Sequence, residues 1–501
     1  MTGEGRPAPA LRLHRAKDLA ALADGEPFDF VVVGGGGAGA AAAIEANDRG
    51  ASVLVVEKMA TAGGSTEVSG GSLRLVVDAE AAKEHLEHLS GGTTPREVID
   101  AFVEALVALP EWVRAHGGEL DPWNDEGVLG RFFPVGGPPQ YRHLPLTYSI
   151  DARAHVRPER PGRSGGAALW DFLARNLAER EVPVALGARA TRLVQAFPER
   201  AVTGVEAAVP GGSVHLAAKV AVLLCCGGFS QDAALKLQYF GVDVPAASPP
   251  GRATGDGIHM AQDVGADLWH MTAPAGNLGF SAPGLDPALR LQMPDFGFVM
   301  VDQLGRRYSC ETSLEAHSAA RAMMAPDQHH ATFVRAPSYL VFDATTLAAG
   351  RIGSAGPAHR WSEDNADEVG RGWIRRAEDL ATLAGLLGLP AGELQQSVTE
   401  YNRAAASGTV DPFGRTPETM RPISGPPFYA MAVSPTLVNT QGGPRRDARG
   451  RIVRPDGSPI PGLYGAGELG SIWNRMYPSG GNLAEAMVSG PMAVRHALAA
   501  N

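Results

Sequence analysis

Residues 28–58 read FDFVVVGGGGAGAAAAIEANDRGASVLVVEK. The run 28–33 is apolar and rich in β-branched residues, which predicts a buried parallel strand. It ends in Gly34, Gly36 and Gly39, spaced as G-x-G-x-x-G. An alanine-rich helix pattern follows over 40–49, with Gly50 as its stop, and a second strand over 51–56. Glu57 closes that strand, 23 residues after Gly34. This is the spacing of an acid that binds a ribose 2′-hydroxyl in a dinucleotide-binding βαβ unit. Small residues let the backbone approach a pyrophosphate, and the helix start offers it free N–H groups. A terminal carboxylate disfavours a 2′-phosphate.

The segment that follows lengthens the reading. Lys58 leads into Gly63-Gly64-Ser65-Thr66, and Gly70-Gly71 come soon after. A second loop rich in glycine and hydroxyl residues offers donors to a longer, extended cofactor. Glycine makes up 62 of 501 residues, about 12%, against a usual ~7%, with no Gly-X-Y period. The excess points to tight turns and close backbone approach. Hydrophobic residues at 44% and charged residues at 20% suit a folded chain with a large core. The net charge of −10 gives a nucleic-acid role little support, since phosphate neutralisation needs a basic face. Three cysteines, Cys225, Cys226 and Cys310, exclude a disulfide framework, CxxC zinc sites and a CxxCH haem attachment. No metal site is expected, and His329-His330 reads as loop surface. Residues 1–27 lack the apolar core of a secretory signal, and the uncharged run 30–44 is too short to span a bilayer. The expectation is a cytoplasmic protein without an integral membrane segment.

The rest of the chain divides by rhythm. An amphipathic helix is predicted over 98–113, another over 166–180, and a strand over 182–186. Short strands over 191–194, 204–209 and 213–217 read as a meander, followed by a buried strand over 218–224. From 271 to 424 the βαβ rhythm gives way to segments rich in Pro, Trp and Met. It returns with GLYGAGE (462–468) and with a helix over 483–499 opened by Gly480-Gly481-Asn482. The expected organisation is an N-terminal extension (1–27), a nucleotide-binding domain in two parts (28–270 and 425–501), and an inserted domain (271–424).

Several motifs in order now resemble one family: the βαβ unit, AGGSTEVSGG, GGFSQD, ATGDGIHMAQDVGA, GLYGAGELGS and YPSGGNLAEAMVSG. Together they resemble soluble flavoproteins of the fumarate reductase/succinate dehydrogenase superfamily, including 3-ketosteroid dehydrogenases. The resemblance implies an α/β fold in which a split Rossmann-like FAD-binding domain carries an inserted α+β capping domain. It implies that Gly34, Gly36 and Gly39 hold the pyrophosphate and Glu57, beside Lys58, the adenosine ribose. Gly63, Gly64, Ser65 and Thr66, with Gly70 and Gly71, would follow the cofactor toward the flavin. Asp256 and Glu468 would lie near the flavin and ribityl hydroxyls, and Asn482 and Leu483 at the flavin C2 carbonyl. No histidine stands between Lys58 and Gly71, so the expected FAD is non-covalent.

The resemblance also bears on chemistry. Where fumarate reductases carry a substrate-binding His, this chain reads Val438-Asn439, and Pro478 stands where their carboxylate-binding Arg precedes the GGN turn. Arg475 is the nearby alternative for a carboxylate. Tyr477 and Gly481 match the ketosteroid dehydrogenase pair, a hydroxyl and an N–H that hold a ketone oxygen. A phenol beside a helix start makes an oxyanion hole for an enolate. For the proton acceptor, GRRYSCETSLEAH (305–317) offers Glu315 and His317, with Glu311 nearby and Tyr308 in place of a packed Phe. Tyr141 or Tyr148 would supply a tyrosine from the early loop. The expected function is desaturation next to a ketone in a cyclic small molecule, with reduction of an enone or α,β-unsaturated acid as the alternative. A non-catalytic electron-transfer subunit fits less well, because an insertion over the flavin serves no carrier. One complete glycine motif leaves no place for a second tightly bound nucleotide, and the external electron partner stays open.

Overall fold

The computed structural model describes residues 10–122, 152–312, 317, 319–354, 359–477 and 480–500. The elements that build the first layer begin with β1 (Arg12–Arg15), β2 (Phe28–Val33), α1 (Gly37–Asp48) and β3 (Val53–Glu57). They continue with α2 (Arg96–Ala115), α3 (Gly165–Glu179), β4 (Pro183–Leu186), β5 (Ala190–Ala196), β6 (Ala201–Val209) and β7 (Gly212–Leu224). The sheet runs β1-β4-β3-β2-β7 and is completed by two strands from the far end of the chain. Phe30 to Val33 are almost wholly buried, as β-branched residues covered on both faces should be.

The meander expected over 191–217 forms, with one difference. Residues 213–217 and 218–224 are a single strand, β7, because no turn residue separates them. Its first half pairs antiparallel with β6 and its second half parallel with β2, with a register shift between Ala218 and Ala221.

The second layer comes from β8 (Pro274–Phe280), β9 (Leu289–Arg290), β10 (Phe298–Val301), β11 (Ser338–Asp343), β12 (Ile374–Ala377), α4 (Leu380–Leu387), α5 (Ala391–Ser407) and β13 (Phe428–Thr440). Its antiparallel order is β9-β8-β13-β11-β10, with β12 also on β13. Alternate residues serve two cores. Met300, Leu340, Phe342 and Met431 face one side, while Val299, Val301, Val341 and Ala430 meet Leu383, Leu394 and Val398 on the other. This inserted sheet reaches Thr440, past the boundary expected at 424, because β13 is its central strand. Then β14 (Arg451–Val453) and β15 (Pro459–Gly465) rejoin the first sheet, and α6 (Gly481–Ala499) packs across α1.

That helix crossing needs small residues. A Cβ at Gly490 would stand 2.6 Å from the Ala38 carbonyl oxygen. Beside it, buried Glu45 of α1 takes Arg495 Nε of α6 at 2.7 Å and Arg49 Nε at 2.7 Å. Burial would lift the Glu45 carboxyl; the two arginines outweigh that and hold it below its ordinary value.

Four charges are buried together in the inserted domain. Arg307 donates to both Glu311 oxygens at 2.7 Å and pairs with Asp411 at 2.7 Å. Arg415 reaches Glu311 at 3.1 Å and the Phe298 and Phe296 carbonyls at 2.7 Å. Burial would raise the Glu311 carboxyl, but both guanidinium groups overcome it and hold the carboxyl low. Glu311 is therefore committed to Arg307 and Arg415 as scaffold, and not free to accept a proton. Glu311→Ala leaves buried Arg415 without a carboxylate and Arg307 with Asp411 alone, and should cost about 3–5 kcal/mol, read as a lowered denaturant midpoint. Tyr308→Phe, which removes only the 2.7 Å hydroxyl contact with Ser338, should cost about 1 kcal/mol.

Candidate active site

Three parallel strands end side by side. Val33 of β2 pairs with Leu224 of β7, which pairs with Gly465 of β15. Each runs into a glycine turn: Gly34 to Gly39, Cys226 to Gly228, and Gly465 to Glu468. The turns therefore share the carboxyl edge of one sheet, where open α/β sheets bind ligands.

The glycines do different work. Gly34 sits at φ +112°, and a Cβ there would strike the Cys225 carbonyl. A Cβ at Gly39 would strike the Gly34 oxygen. Gly36 differs. Its backbone is extended at φ −88°, and a Cβ would meet nothing nearer than Gly64 Cα at 3.8 Å. Nothing inside the protein requires a glycine there, so the requirement lies in what approaches it. The second loop docks onto the first: Gly63 N–H donates to the Gly35 oxygen at 2.8 Å and Gly37 N–H to Thr66 Oγ1 at 3.0 Å. Ser65 lies in the one-turn helix Gly64–Glu67. Gly71 abuts the Gly165–Gly166 backbone and so serves packing at the start of α3, whereas a Cβ at Gly70 would meet nothing within 4 Å.

Glu57 is buried, and its two oxygens accept Gly35 N–H and Met59 N–H, each at 2.8 Å. A carboxylate has about four acceptor sites, so two remain for ribose hydroxyls. Lys58 Nζ is spent on Asp256 Oδ2 at 3.0 Å and on Thr254. Arg189 takes the other Asp256 oxygen at 2.7 Å. Burial would raise the Asp256 carboxyl; Arg189 and Lys58 bring it below its ordinary value. Asp256 thus stands with Lys58, next to Glu57 at the end of β3, and the structure does not set it among the groups around Glu468.

The third turn holds Glu468. Oε1 accepts the Thr440 N–H at 3.0 Å, and a Cβ at Gly228 would strike both Thr440 Oγ1 and this carboxyl. The residue is half-buried, and burial pushes its pKa up to about 7.

The start of α6 gathers the remaining groups. Gly480, at φ +85°, turns the chain into it with no side-chain cap. Asn482 N–H donates to the Tyr477 hydroxyl oxygen at 3.3 Å. The His317 ring meets Tyr477 edge-on at 5.2 Å, and His317 is tied to β8 by Gly276 N–H at 2.8 Å. Tyr477, Gly481 and His317 are therefore brought together. Gly481 packs on the indole of Trp473, 2.7 Å from where its Cβ would be, and Leu483 follows in the first turn. The Asn482 side chain is held by two amides and by the Ser471 hydroxyl at 3.3 Å. Its oxygen accepts from Asn439 at 2.6 Å and Gln441 at 3.1 Å, and its nitrogen donates to Gln441 at 3.0 Å. Two buried polar atoms at this helix start, Ser72 Oγ and Trp473 Nε1, have no hydrogen-bond partner among the described residues. Arg475 points elsewhere: it is exposed and lies over Gly91. Glu315, Tyr141 and Tyr148 lie outside the described residues.

The sequence reading missed the pair that fixes this corner. Buried Arg446 meets Glu485 of α6 at 2.5 Å and donates to the Gly465, Gly467 and Gly470 carbonyls. The available signal was an acid at position 485, between alanines in the first turns of the helix.

The comparisons agree with this geometry. Residues 29–483 match the FAD-binding domain family. The chain is 29% identical to a 3-oxosteroid 1-dehydrogenase of Mycobacterium tuberculosis, across 94% of this chain and 98% of that one. It is also 29% identical to an NADH:fumarate oxidoreductase of Klebsiella pneumoniae, across 96% of this chain but only 49% of that longer protein. The solved 3-ketosteroid Δ1-dehydrogenase of Sterolibacterium denitrificans, in complex with 1,4-androstadiene-3,17-dione, shares the fold with a TM-score of 0.82. The identity there is 24%, over 95% of this chain and all of the other. The chain belongs to the FAD-binding domain family. It is an FAD-dependent oxidoreductase. The residues fit the cofactor: an open glycine at the helix start, an acid with acceptor capacity, and orphaned polar atoms at the far end. Among the described residues no helix is long and apolar enough to cross a membrane.

Two tests follow. Gly36→Val should fold, since the protein leaves it room, but purify without FAD; Gly39→Val should not fold, because its side chain meets backbone. Thermal melting and flavin absorbance separate the two. Glu468 supplies the second test. Its folded pKa is raised from 4.5 to about 7. The folded apoprotein keeps this proton where the unfolded chain has lost it, so stability is highest below 4.5 and falls as pH rises to about 7. Glu468→Gln should flatten that slope by on the order of 1–3 kcal/mol, measured by apoprotein denaturation at about pH 5 and pH 8.

Proposed function

We propose that this flavoprotein desaturates a C–C bond next to a ketone in a cyclic, steroid-like small molecule. The observation that carries the reading is the Tyr477 hydroxyl, held over the first turn of α6 by Asn482 N–H. Accepting that N–H makes the phenol a stronger donor to a substrate oxygen. Gly481 N–H, one of the unpaired donors of the helix start, is the second donor to the same oxygen. As the α-proton leaves, charge builds on the ketone oxygen, and this pair, with the helix dipole behind it, stabilises the enolate.

The bound FAD, held without a covalent link, supplies a hydride acceptor for the β-carbon. The inserted sheet acts as a cap, and through β8 it delivers His317 against Tyr477. His317, or Glu315 two residues before it, takes the α-proton. A dicarboxylate clamp has less support: Asn439 is committed to Asn482, and Arg475 lies over Gly91. The similarity to a fumarate oxidoreductase supports the reverse direction, enone reduction, as a second use of the same donors. We place the protein in the cytoplasm.

Anaerobic mixing tests the reading. Cyclic ketones should bleach the oxidised flavin; bleaching by none of a panel, with reoxidation of the reduced flavin by unsaturated acids, would overturn it. Tyr477→Phe keeps the ring against His317 and Trp473, so FAD content should hold while flavin reduction by the ketone slows by about 10²–10³. A variant with full FAD and an unchanged reductive half-reaction removes Tyr477 from the chemistry.

A further inference from the structure

One cation near the cofactor crevice has no part in the site described above. Residues 251–256 arch over the end of β3. Gly251, at φ +83°, sits on the Met59 thioether, and Thr254 and Asp256 are gripped by Lys58. Between them Arg252 reaches across and donates through Nη1 to the Gly64 carbonyl at 2.6 Å. Gly64 is the residue that faces open Gly36. The arch holds Arg252 in place at a conformational cost. The next residue, Ala253, is buried and left-handed at φ +48°, and its carbonyl accepts the Gln231 N–H at 3.0 Å. A left-handed alanine persists only where its surroundings over-determine it.

The charges at this edge do not balance. Lys58 and Arg189 share Asp256, and Glu57 is turned to backbone N–H groups. Arg252 has no carboxylate within ion-pair distance among the described residues. Three cations therefore meet two carboxylates beside a glycine that has no packing reason to be one. A guanidinium carries five N–H donors in a fork suited to phosphate oxygens, and the Gly64 contact uses one of them.

We propose that Arg252 is a clamp for the FAD diphosphate, latching the 251–256 arch to the second glycine loop across the crevice. The inference rests on FAD binding and not on the ketone chemistry. Tyr477→Phe should leave FAD release unchanged, so the two readings fail separately. The clamp adds charge-assisted hydrogen bonds to the diphosphate and closes the path by which the adenylate half would leave.

The test follows flavin release from the holoenzyme by the recovery of FAD fluorescence. It also follows binding of ADP and of adenosine to the full chain stripped of FAD. Arg252→Met, of similar length without charge, should release FAD about 10- to 100-fold faster and weaken ADP by a similar factor, with adenosine within about twofold. Arg252→Lys should fall between. Wild-type release and ADP affinity in Arg252→Met would overturn the proposal. So would equal weakening of ADP and adenosine, which would make Arg252 a prop for the Gly64 loop. If Arg252→Met fails to fold, Arg252→Lys decides: ADP must weaken at least about threefold more than adenosine, and an equal loss overturns the clamp.

Discussion

The ion pair between Arg446 and Glu485 holds the chemical end of this molecule together. Neither charge is solvated, so each depends on the other and on its hydrogen bonds. Arg446 gathers three carbonyls of the turn after β15, and Glu485 accepts the Ser471 hydroxyl and the Ile472 N–H. The pair therefore locks the Gly465–Glu468 turn to the first turns of α6. Glu468, Asn482 and Tyr477 all take their positions from that lock. Glu485 and Arg446 are both buried, and burial lifts the Glu485 carboxyl despite the arginine.

From that corner the site is assembled by chain segments far apart in sequence. Thr440, at the end of the central strand of the inserted sheet, bonds Glu468 and accepts Phe229 N–H at 2.9 Å. One threonine thus ties the cap to two glycine turns of the FAD layer. The next residues, Gln441 and Asn439, form an amide mesh with Asn482 that sets the helix start. His317 arrives by way of β8. The inserted sheet is joined to the FAD layer by these polar contacts and by Leu437 and Ala275, which lie in the FAD layer's cores, while the four buried charges around Glu311 hold its own loops. Rigidity of this kind keeps groups gathered from distant segments in fixed relative positions.

Much of the FAD layer was legible in the primary structure because its signals are local. A β-branched run, a glycine spacing, an alanine-rich helix and a terminal acid lie within 31 consecutive residues, and each dictates backbone shape by itself. Strand, helix and meander positions followed from periodicity, except that residues 213–224 make one strand whose two halves have different partners. The inserted domain was legible only as a change of rhythm. That its sheet runs on to Thr440 depends on which strand lies at the centre, and pairing across a sheet leaves no local mark.

The sequence by itself determined the class of ligand and the edge of the sheet that binds it, because glycine spacing and a buried strand constrain the backbone whatever surrounds them. The resemblance of residues 477–481 to the ketosteroid dehydrogenase segment also marked Tyr477 and Gly481. Only the tertiary structure decided what the charged residues do. Glu311 became scaffold because Arg307 and Arg415 converge on it, Lys58 and Asp256 became each other's partners, and Arg475 was turned away onto Gly91. Electrostatic roles depend on distance and burial in three dimensions, and neither is written in the order of residues along the chain.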